Sequence, residues 1–325
     1  MHILVTGGAG FIGSYLVEYH LKKNDSVHVI DDFSTGGLSN LMAFQEYSGF
    51  SYTQADILTC NNLNQLVAKA DLIYHMAAVV GVLRVIKETE HLLATNISGT
   101  ERLLRAANIS GKKPRILLAS TSEVYGESHL SCSSETENLI IGQGKKSCSN
   151  YVVSKIALEY FGMAYYDHFE LPITILRLFN TIGPRQVGHY GMVVPRFVDY
   201  ALTHQPILVH GTGEQTRSFC DVRDTVAMME RIAHTPESVG QILNVGHDEE
   251  VSINHLAKLV KKLAHSDSEI KHISYDKVYG KDFKDVMTRR PDMSKLQQLI
   301  HYTYQWNLND SIRDLIAHQT SKGLF

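Results

Sequence analysis

The chain opens on Ile3-Leu4-Val5 and breaks at once into Thr6-Gly7-Gly8-Ala9-Gly10, after which Phe11-Ile12-Gly13-Ser14 begins a helical pattern. A short apolar run of this kind suits a strand buried on both faces. The spacing of Gly7, Gly10 and Gly13 then constrains the turn that follows. One glycine permits the tight reversal, one lets the backbone approach a pyrophosphate, and one lets the helix pack closely on the strand. The free N–H groups at the start of that helix, with the positive end of its dipole, would face the phosphates. A second apolar run, Ser26 to Ile30, ends in Asp31, where an acid should hydrogen-bond an adenosine ribose. A carboxylate there repels a 2′-phosphate, so the expected cofactor is NAD rather than NADP. No Lys follows Gly13, which excludes a P-loop.

Beyond this opening, strands alternate with helices. Strands are expected near Phe50 to Gln54, Leu72 to His75, Arg115 to Ser120 and Ile173 to Phe179, with helices near Leu63 to Ala70, Leu92 to Asn108 and Ser149 to His168. That alternation predicts a doubly wound parallel α/β sheet of Rossmann type. Glu127 to Ser149 is polar and aperiodic, and reads as a surface loop. After Asn180 the pattern changes. Helices are expected near Pro195 to His204, Thr225 to His234 and, with Ser252 as N-cap, after residue 252; the tail from Ser266 reads as charged and less regular, with one more helix near Ser311 to His318. The expected organisation is therefore a dinucleotide domain over 1–179 and a smaller mixed α/β substrate domain over 180–325. The two are interleaved, because a strand near 243–245 should return to the main sheet.

A length of 325 residues with 44% hydrophobic content allows a large core, and a formal charge of −3 offers nothing to nucleic acid or a membrane surface. An anionic ligand must then be held by local Arg or Lys. The four cysteines (Cys60, Cys132, Cys148, Cys220) form no CxxC pair and the 17 histidines no HExxH, so no metal site is expected. Starting on a core strand, with no apolar run long enough to span a bilayer, the chain is expected to be cytoplasmic, its thiols reduced. The sequons at Asn96 and Asn108 then carry no meaning.

Tyr151 and Lys155 lie four positions apart on one expected helix and so share a face. A phenol titrates near ~10, too high for a base at neutral pH unless a cation stabilises the phenolate. A neighbouring ammonium and a nicotinamide ring could both do so, which suits removal of a hydroxyl proton during hydride transfer.

With GGAGFIG, Asp31, Ser-Thr-Ser-Glu-Val-Tyr-Gly at 120–126 and Tyr151-x-x-x-Lys155, the chain resembles the extended short-chain dehydrogenase/reductase family. More narrowly it is similar to the nucleotide-sugar epimerases, dehydratases and decarboxylases. Leu178-Phe179-Asn180-Thr181-x-Gly183-Pro184-Arg185, Gln215-Thr216-Arg217-Ser218-Phe219 and Arg289-Arg290-Pro291-Asp292 extend the match over nearly the whole chain. The resemblance implies tightly held NAD, contacted by Gly7, Gly10, Phe11, Ile12, Gly13, Asp31, Asp32, Ser34, Thr35, Gly36, the adenine element Asp56-Ile57, Ala77, Ala78, Tyr151 and Lys155. It implies that Tyr151, with Lys155 and a hydroxyl from Thr121 or Ser122, deprotonates the C4 hydroxyl of a nucleotide sugar. Asn180, Arg185, Arg217 and Arg289 would surround the substrate, most simply a UDP-sugar. Dehydratases usually carry Asp then Glu where Ser122 and Glu123 stand, and Ser-Thr-Ser-Glu-Val-Tyr-Gly looks most like UDP-glucuronate decarboxylases. Gly191-Met192-Val193-Val194, in contrast, lacks a basic residue usual in those decarboxylases and looks more like epimerase or dehydratase relatives. A 4-epimerase, then a 4,6-dehydratase, remain the alternatives; a non-catalytic NAD-binding module is the remotest. A homodimer paired through helices near 92–108 and 149–168 is also implied.

Overall fold

The computed structural model describes residues 1–81, 88–126, 132–141, 148–188, 192–279, 286–321 and 323. The strands are β1 (His2–Thr6), β2 (Ser26–Asp31), β3 (Phe50–Gln54), β4 (Leu72–His75), β5 (Arg115–Thr121), β6 (Ile173–Leu178), β7 (Thr181–Ile182), β8 (Ile207–His210), β9 (Thr216–Ser218), β10 (Cys220–Asp221), β11 (Ile242–Val245), β12 (Glu250–Ser252), β13 (Ile270–Ile273) and β14 (Thr288–Arg289). The helices are α1 (Phe11–Lys22), α2 (Leu63–Lys69), α3 (Thr89–Leu93), α4 (Gly99–Ile109), α5 (Cys148–Phe169), α6 (Val193–Leu202), α7 (Val222–Ala233), α8 (Ile253–Leu263), α9 (Tyr275–Tyr279), α10 (Ser294–Ile300) and α11 (Leu308–Ser321).

Seven parallel strands form one sheet in the order β11-β6-β5-β4-β1-β2-β3. The near-continuous apolar runs explain why both faces are covered. Along β1, Ile3 and Val5 enter the cluster with Leu16 and Val17 of α1 and Val226 and Met229 of α7. Leu4 between them joins the opposite cluster, with Val67 of α2, Leu103 and Leu104 of α4 and Leu158 of α5. Period-2 alternation along a fully buried strand thus feeds two helical layers. The chain order reverses between β1 and β4, so a crevice opens at the carboxyl ends of these strands, where open α/β sheets bind ligands. The second layer beyond β6 has its own core of Phe197, Val209, Leu256, Val260 and Leu315 from α6, β8, α8 and α11. Asp221 and Ser252 cap α7 and α8, accepting the N–H groups of Arg223 and His255.

Three local expectations need correction. The helix expected over 92–108 is broken: α3 and α4 are joined by a π-helical turn, Ala94–Ser98. A π turn widens the helix and re-aims a side chain, here Asn96, which is 1% exposed and fully hydrogen-bonded. The segment 127–149 is not all surface loop. Its described part docks inward through Ser133, bridged to Pro291, and through Glu135, which accepts the Asn244 N–H; residues 127–131 and 142–147 lie outside the described residues. The tail is more regular than its charge suggested, because β13 pairs with β8, β14 with β9, and α10 packs against the main sheet.

Candidate active site

The glycine turn is built from backbone constraints. Gly7 has φ +72°, and a Cβ there would sit 2.7 Å from the Ala77 nitrogen. Only glycine fills such a position without strain. A Cβ on Gly13 would collide with the Gly7 carbonyl, so α1 can begin this close to β1 only because position 13 is bare. Gly10 is the N-cap of α1, with extended backbone and no side-chain cap, which leaves the first-turn N–H groups of α1 directed at the crevice. Asp31 ends β2 beside this turn. Its carboxylate accepts the Ala9 N–H at 2.9 Å and the Phe33 N–H at 2.8 Å, while burial raises its pKa.

One cleft of about 730 Å³ runs from this turn to the second layer. It is lined at one end by Gly7, Gly10, Phe11, Ile12, Gly13, Asp31, Asp32, Ser34, Thr35, Gly36, Asp56, Ile57, Ala77 and Ala78. Thr121, Ser122, Glu123, Tyr151 and Lys155 line its middle, Asn180, Arg217 and Arg289 its far side, and Arg185 borders it next to α1. The fold therefore gathers every site residue read from the sequence around one cavity. At the rim, ligand-type atoms of Asp32, Asp56 and His91 come within 4.8 Å of one another, a grouping the spacing of the chain did not show. Such open acidic clusters are common on protein surfaces, and it carries no metal assignment.

Strand β5 and helix α5 position the central side chains. Thr121 closes β5 and caps a single 3-10 turn, Ser122–Tyr125, accepting the Glu123 N–H at 3.3 Å. Lys155 is 3% exposed, and its ammonium donates to the Ala119 carbonyl of β5 at 2.7 Å. Burial lowers its pKa to about 8, opposed by the carboxylate of Glu159 one helical turn on. Nζ lies 5.9 Å from the centre of the Tyr151 ring. The phenol itself stands above its ordinary value, raised by burial and then by the charge of Glu123, with a Thr121 hydrogen bond acting the other way. The lowering expected from Lys155 is not among the influences on the phenol, which the protein's own surroundings raise. A base at this position needs a further positive charge beside the ring.

Arg217 and Arg289 are register partners on the parallel pair β9 and β14, so both come to one wall of the cleft. Asn180 donates to the Ser218 carbonyl at 2.9 Å and fixes the start of that wall. Arg185 differs: its guanidinium pairs with Glu18 and stacks over Tyr15 of α1, 4.3 Å from the ring centre. It ties the loop after β7 to the glycine-turn half of the molecule.

A buried polar chain beneath the site was not read from the sequence. His75 bonds Thr6 at 2.8 Å and Thr100 at 3.0 Å, and burial, then the charge of Lys155, lowers its pKa to about 3. Asn96 accepts the Val79 N–H at 2.8 Å and donates to Ser154, between Tyr151 and Lys155 on α5, at 3.0 Å. Asn96 therefore joins the cleft wall after β4 to the helix carrying the phenol. In the sequence it stood out only as a sequon. A polar residue among Leu92, Leu93 and Leu103 on one helical stripe was the available signal.

The family model described as GDP-mannose 4,6 dehydratase matches residues 4–315. A UDP-N-acetyl-alpha-D-glucosaminuronate decarboxylase of Bacillus cytotoxicus is 37% identical over 302 residues, 92% of this chain and 91% of that protein. UDP-glucuronic acid decarboxylase 1 of Xenopus tropicalis is 33% identical over 299 residues, 92% of this chain and 67% of that one. Among solved structures, UDP-glucuronic acid 4-epimerase from Bacillus cereus, in complex with UDP-glucuronic acid and NAD, superposes with a TM-score of 0.86 at 29% identity, covering 100% of both chains.

Proposed function

The chain belongs to the family described as GDP-mannose 4,6 dehydratase, within the extended short-chain dehydrogenase/reductase group of NAD-dependent nucleotide-sugar enzymes, and on that premise we propose that it decarboxylates a UDP-linked hexuronate through transient oxidation at C4. The observation that carries this reading is the distribution of carboxylates. Among the described residues that line the cleft, Asp31, Asp32 and Asp56 sit at the glycine-turn end, and Glu123 is the single acid beside Tyr151. Dehydration needs one acid to protonate the departing water and a base for the C5 proton, and Ser122 stands where the second carboxyl would be. Loss of carbon dioxide needs neither.

The residues around the glycine turn fit NAD: bare backbone at Gly7 and Gly13, uncapped N–H groups on α1 and a carboxylate at Asp31. When bound there, NAD would supply a hydride acceptor and a positive ring charge near the phenol. Tyr151 takes the proton of the C4 hydroxyl. Lys155, held by the Ala119 carbonyl, keeps an ammonium near the phenolate so formed. Once C4 is a ketone, the C6 carboxylate belongs to a β-keto acid. Its C5–C6 bond breaks, carbon dioxide leaves, and the electron pair passes into an enolate whose oxygen Thr121 or Ser122 can hydrogen-bond; C5 then takes a proton, and C4 would regain the hydride and, from Tyr151, the proton, which leaves a UDP-pentose. Glu123, negatively charged beside the sugar, disfavours the carboxylate as a ground state. Arg217 and Arg289 neutralise the diphosphate, a role suited to charge-assisted contacts in a chain of net charge −3.

Incubation with UDP-glucuronate, its 2-acetamido analogue, UDP-glucose and dTDP-glucose, followed by mass spectrometry, tests this. Loss of carbon dioxide from a hexuronate supports it, and loss of water from either glucose nucleotide overturns it. The second reading is a 4-epimerase. It is favoured by the uncharged stretch Met192, Val193, Val194 and Pro195 on the cleft wall, against which a keto sugar could turn over, and by the likeness to the Bacillus cereus epimerase. An unchanged mass with a new chromatographic peak would establish it. The chain would act as a homodimer, a reading supported by Val153 and Tyr160, 37% and 73% exposed on the outer face of α5. Light scattering at micromolar protein would return a monomer mass if that is wrong. No described helix is long and apolar enough to cross a membrane.

A further inference from the structure

Asn244, at the end of β11, is 0% exposed and uses every polar atom of its side chain. Its Oδ1 accepts the Tyr125 hydroxyl at 2.6 Å, and its Nδ2 donates to the Ser133 carbonyl at 2.9 Å and the Asp292 carbonyl at 3.2 Å. These partners stand behind two parts of the cleft wall, the turn that carries Ser122 and Glu123 and the segment that carries Arg289. Tyr125 ends the 3-10 turn that presents Ser122 and Glu123. Asp292 lies three residues after Arg289. Ser133 locks that arginine arm in place, donating its N–H to Arg290 and accepting the Asp292 N–H, both at 2.8 Å. A planar amide cannot rotate to follow one partner without losing the others. Buried networks satisfied at every atom hold one arrangement and penalise partial ones.

We propose that Asn244 is a positioning residue that couples occupation of the arginine arm to the placement of the catalytic turn, transmitting through the Tyr125 hydroxyl. An anion drawing Arg289 inward moves or stiffens 290–292, the amide follows, and Tyr125 seats Ser122 and Glu123 beside Tyr151. A diphosphate-bearing ligand would thereby complete the site that acts on its own sugar, and a ligand lacking the diphosphate would leave the turn loose. The coupling rests on the arm being the diphosphate site of the proposed function. A merely architectural Asn244 would hold β11 in place and transmit nothing.

Hydrogen exchange on the holoenzyme, with and without UDP, separates these cases. In the unaltered protein UDP should slow exchange of the amides in 121–126 at least threefold. Tyr125→Phe removes one hydroxyl and keeps the ring. It should bind UDP within threefold of the unaltered affinity by calorimetry, yet show no UDP-dependent slowing in 121–126. With a reactive UDP-hexuronate the same variant should lose at least tenfold in kcat with KM within twofold. Asn244→Asp, which sets an acceptor against two carbonyls, should weaken UDP binding at least tenfold. UDP binding that leaves 121–126 unchanged in the unaltered protein, or a Tyr125→Phe variant that keeps the slowing, overturns the coupling alone. Absence of UDP binding removes the arm's assigned role, and the functional reading falls with it.

Discussion

The two ends of the cleft are made of different materials. At the glycine-turn end the contacts nearest the turn are backbone N–H groups at the start of α1 and the carboxylate of Asp31, itself held by the Ala9 and Phe33 N–H groups. These parts lie within the first 33 residues and depend on what is missing, the side chains at positions 7 and 13. At the far end the parts are side chains, Asn180, Arg217 and Arg289, the two arginines brought together by the pairing of short strands although they stand 72 residues apart in sequence. Backbone donors cannot be substituted away singly, but an added side chain blocks them all. Arginines are the reverse, each removable without disturbing its neighbour. The central residues on β5 and α5 stand between the two regimes.

That contrast can be broken by experiment. The largest effect is expected in the centre: Tyr151→Phe should lower the rate of C4 oxidation by roughly a hundred- to ten-thousandfold, with NAD and UDP still bound. Single-turnover absorbance reads the rate, and calorimetry reads the binding. Gly13→Val should next abolish retention of NAD during purification, since the new side chain meets the Gly7 carbonyl, while UDP affinity changes little. Retained NAD would show that the turn is not backbone-limited. Arg217→Ala and Arg289→Ala should each cost about 1.5–3 kcal/mol of UDP affinity, roughly ten- to a hundredfold, and leave NAD retention alone. Equal loss of both ligands would mean the ends are not separable.

The smallest effect concerns pH. His75 is neutral when folded, with its pKa lowered to about 3 from 6.5, so the unfolded chain binds the extra proton first. Its contribution to stability is complete above about pH 6.5 and is lost as pH falls toward 3. The amides around Thr6 and Thr100 should therefore lose exchange protection in mild acid before those of α8 and α11, which pack through apolar side chains such as Leu256, Val260 and Leu315. His75→Gln should flatten that acid dependence; an unchanged profile would remove His75 from the account.

The main sheet was legible in the chain because most of its strands carry apolar runs, such as Ile3–Val5 in β1 and Ile116–Leu118 in β5, and because helical spacing separates them. Tyr151 and Lys155 were legible for the same local reason, one helical turn. The buried partners were not. Glu159 on the next turn of α5 pairs with Arg177 of β6, both 3% exposed, and accepts the Ser120 hydroxyl at 2.5 Å. Nothing in the spacing of a single helix tells a buried carboxylate from a solvated one. Asn96 and His75 were passed over likewise, since hydrogen bonds across 17 to 69 residues leave no periodic trace.

What the amino-acid order determined by itself is whatever depends on near neighbours: the strand and its glycine turn, the acid closing β2, the phenol and amine on one helical face. These follow from steric limits and helical pitch, which act over a few residues. What the tertiary structure alone decided is which distant groups share a cavity and at what charge. Arg217 meets Arg289 through strand pairing, Glu123 raises the phenol of Tyr151, and Asn244 joins three segments through one amide. Those outcomes depend on burial and on distances through space, and both exist only once the two layers have closed on each other.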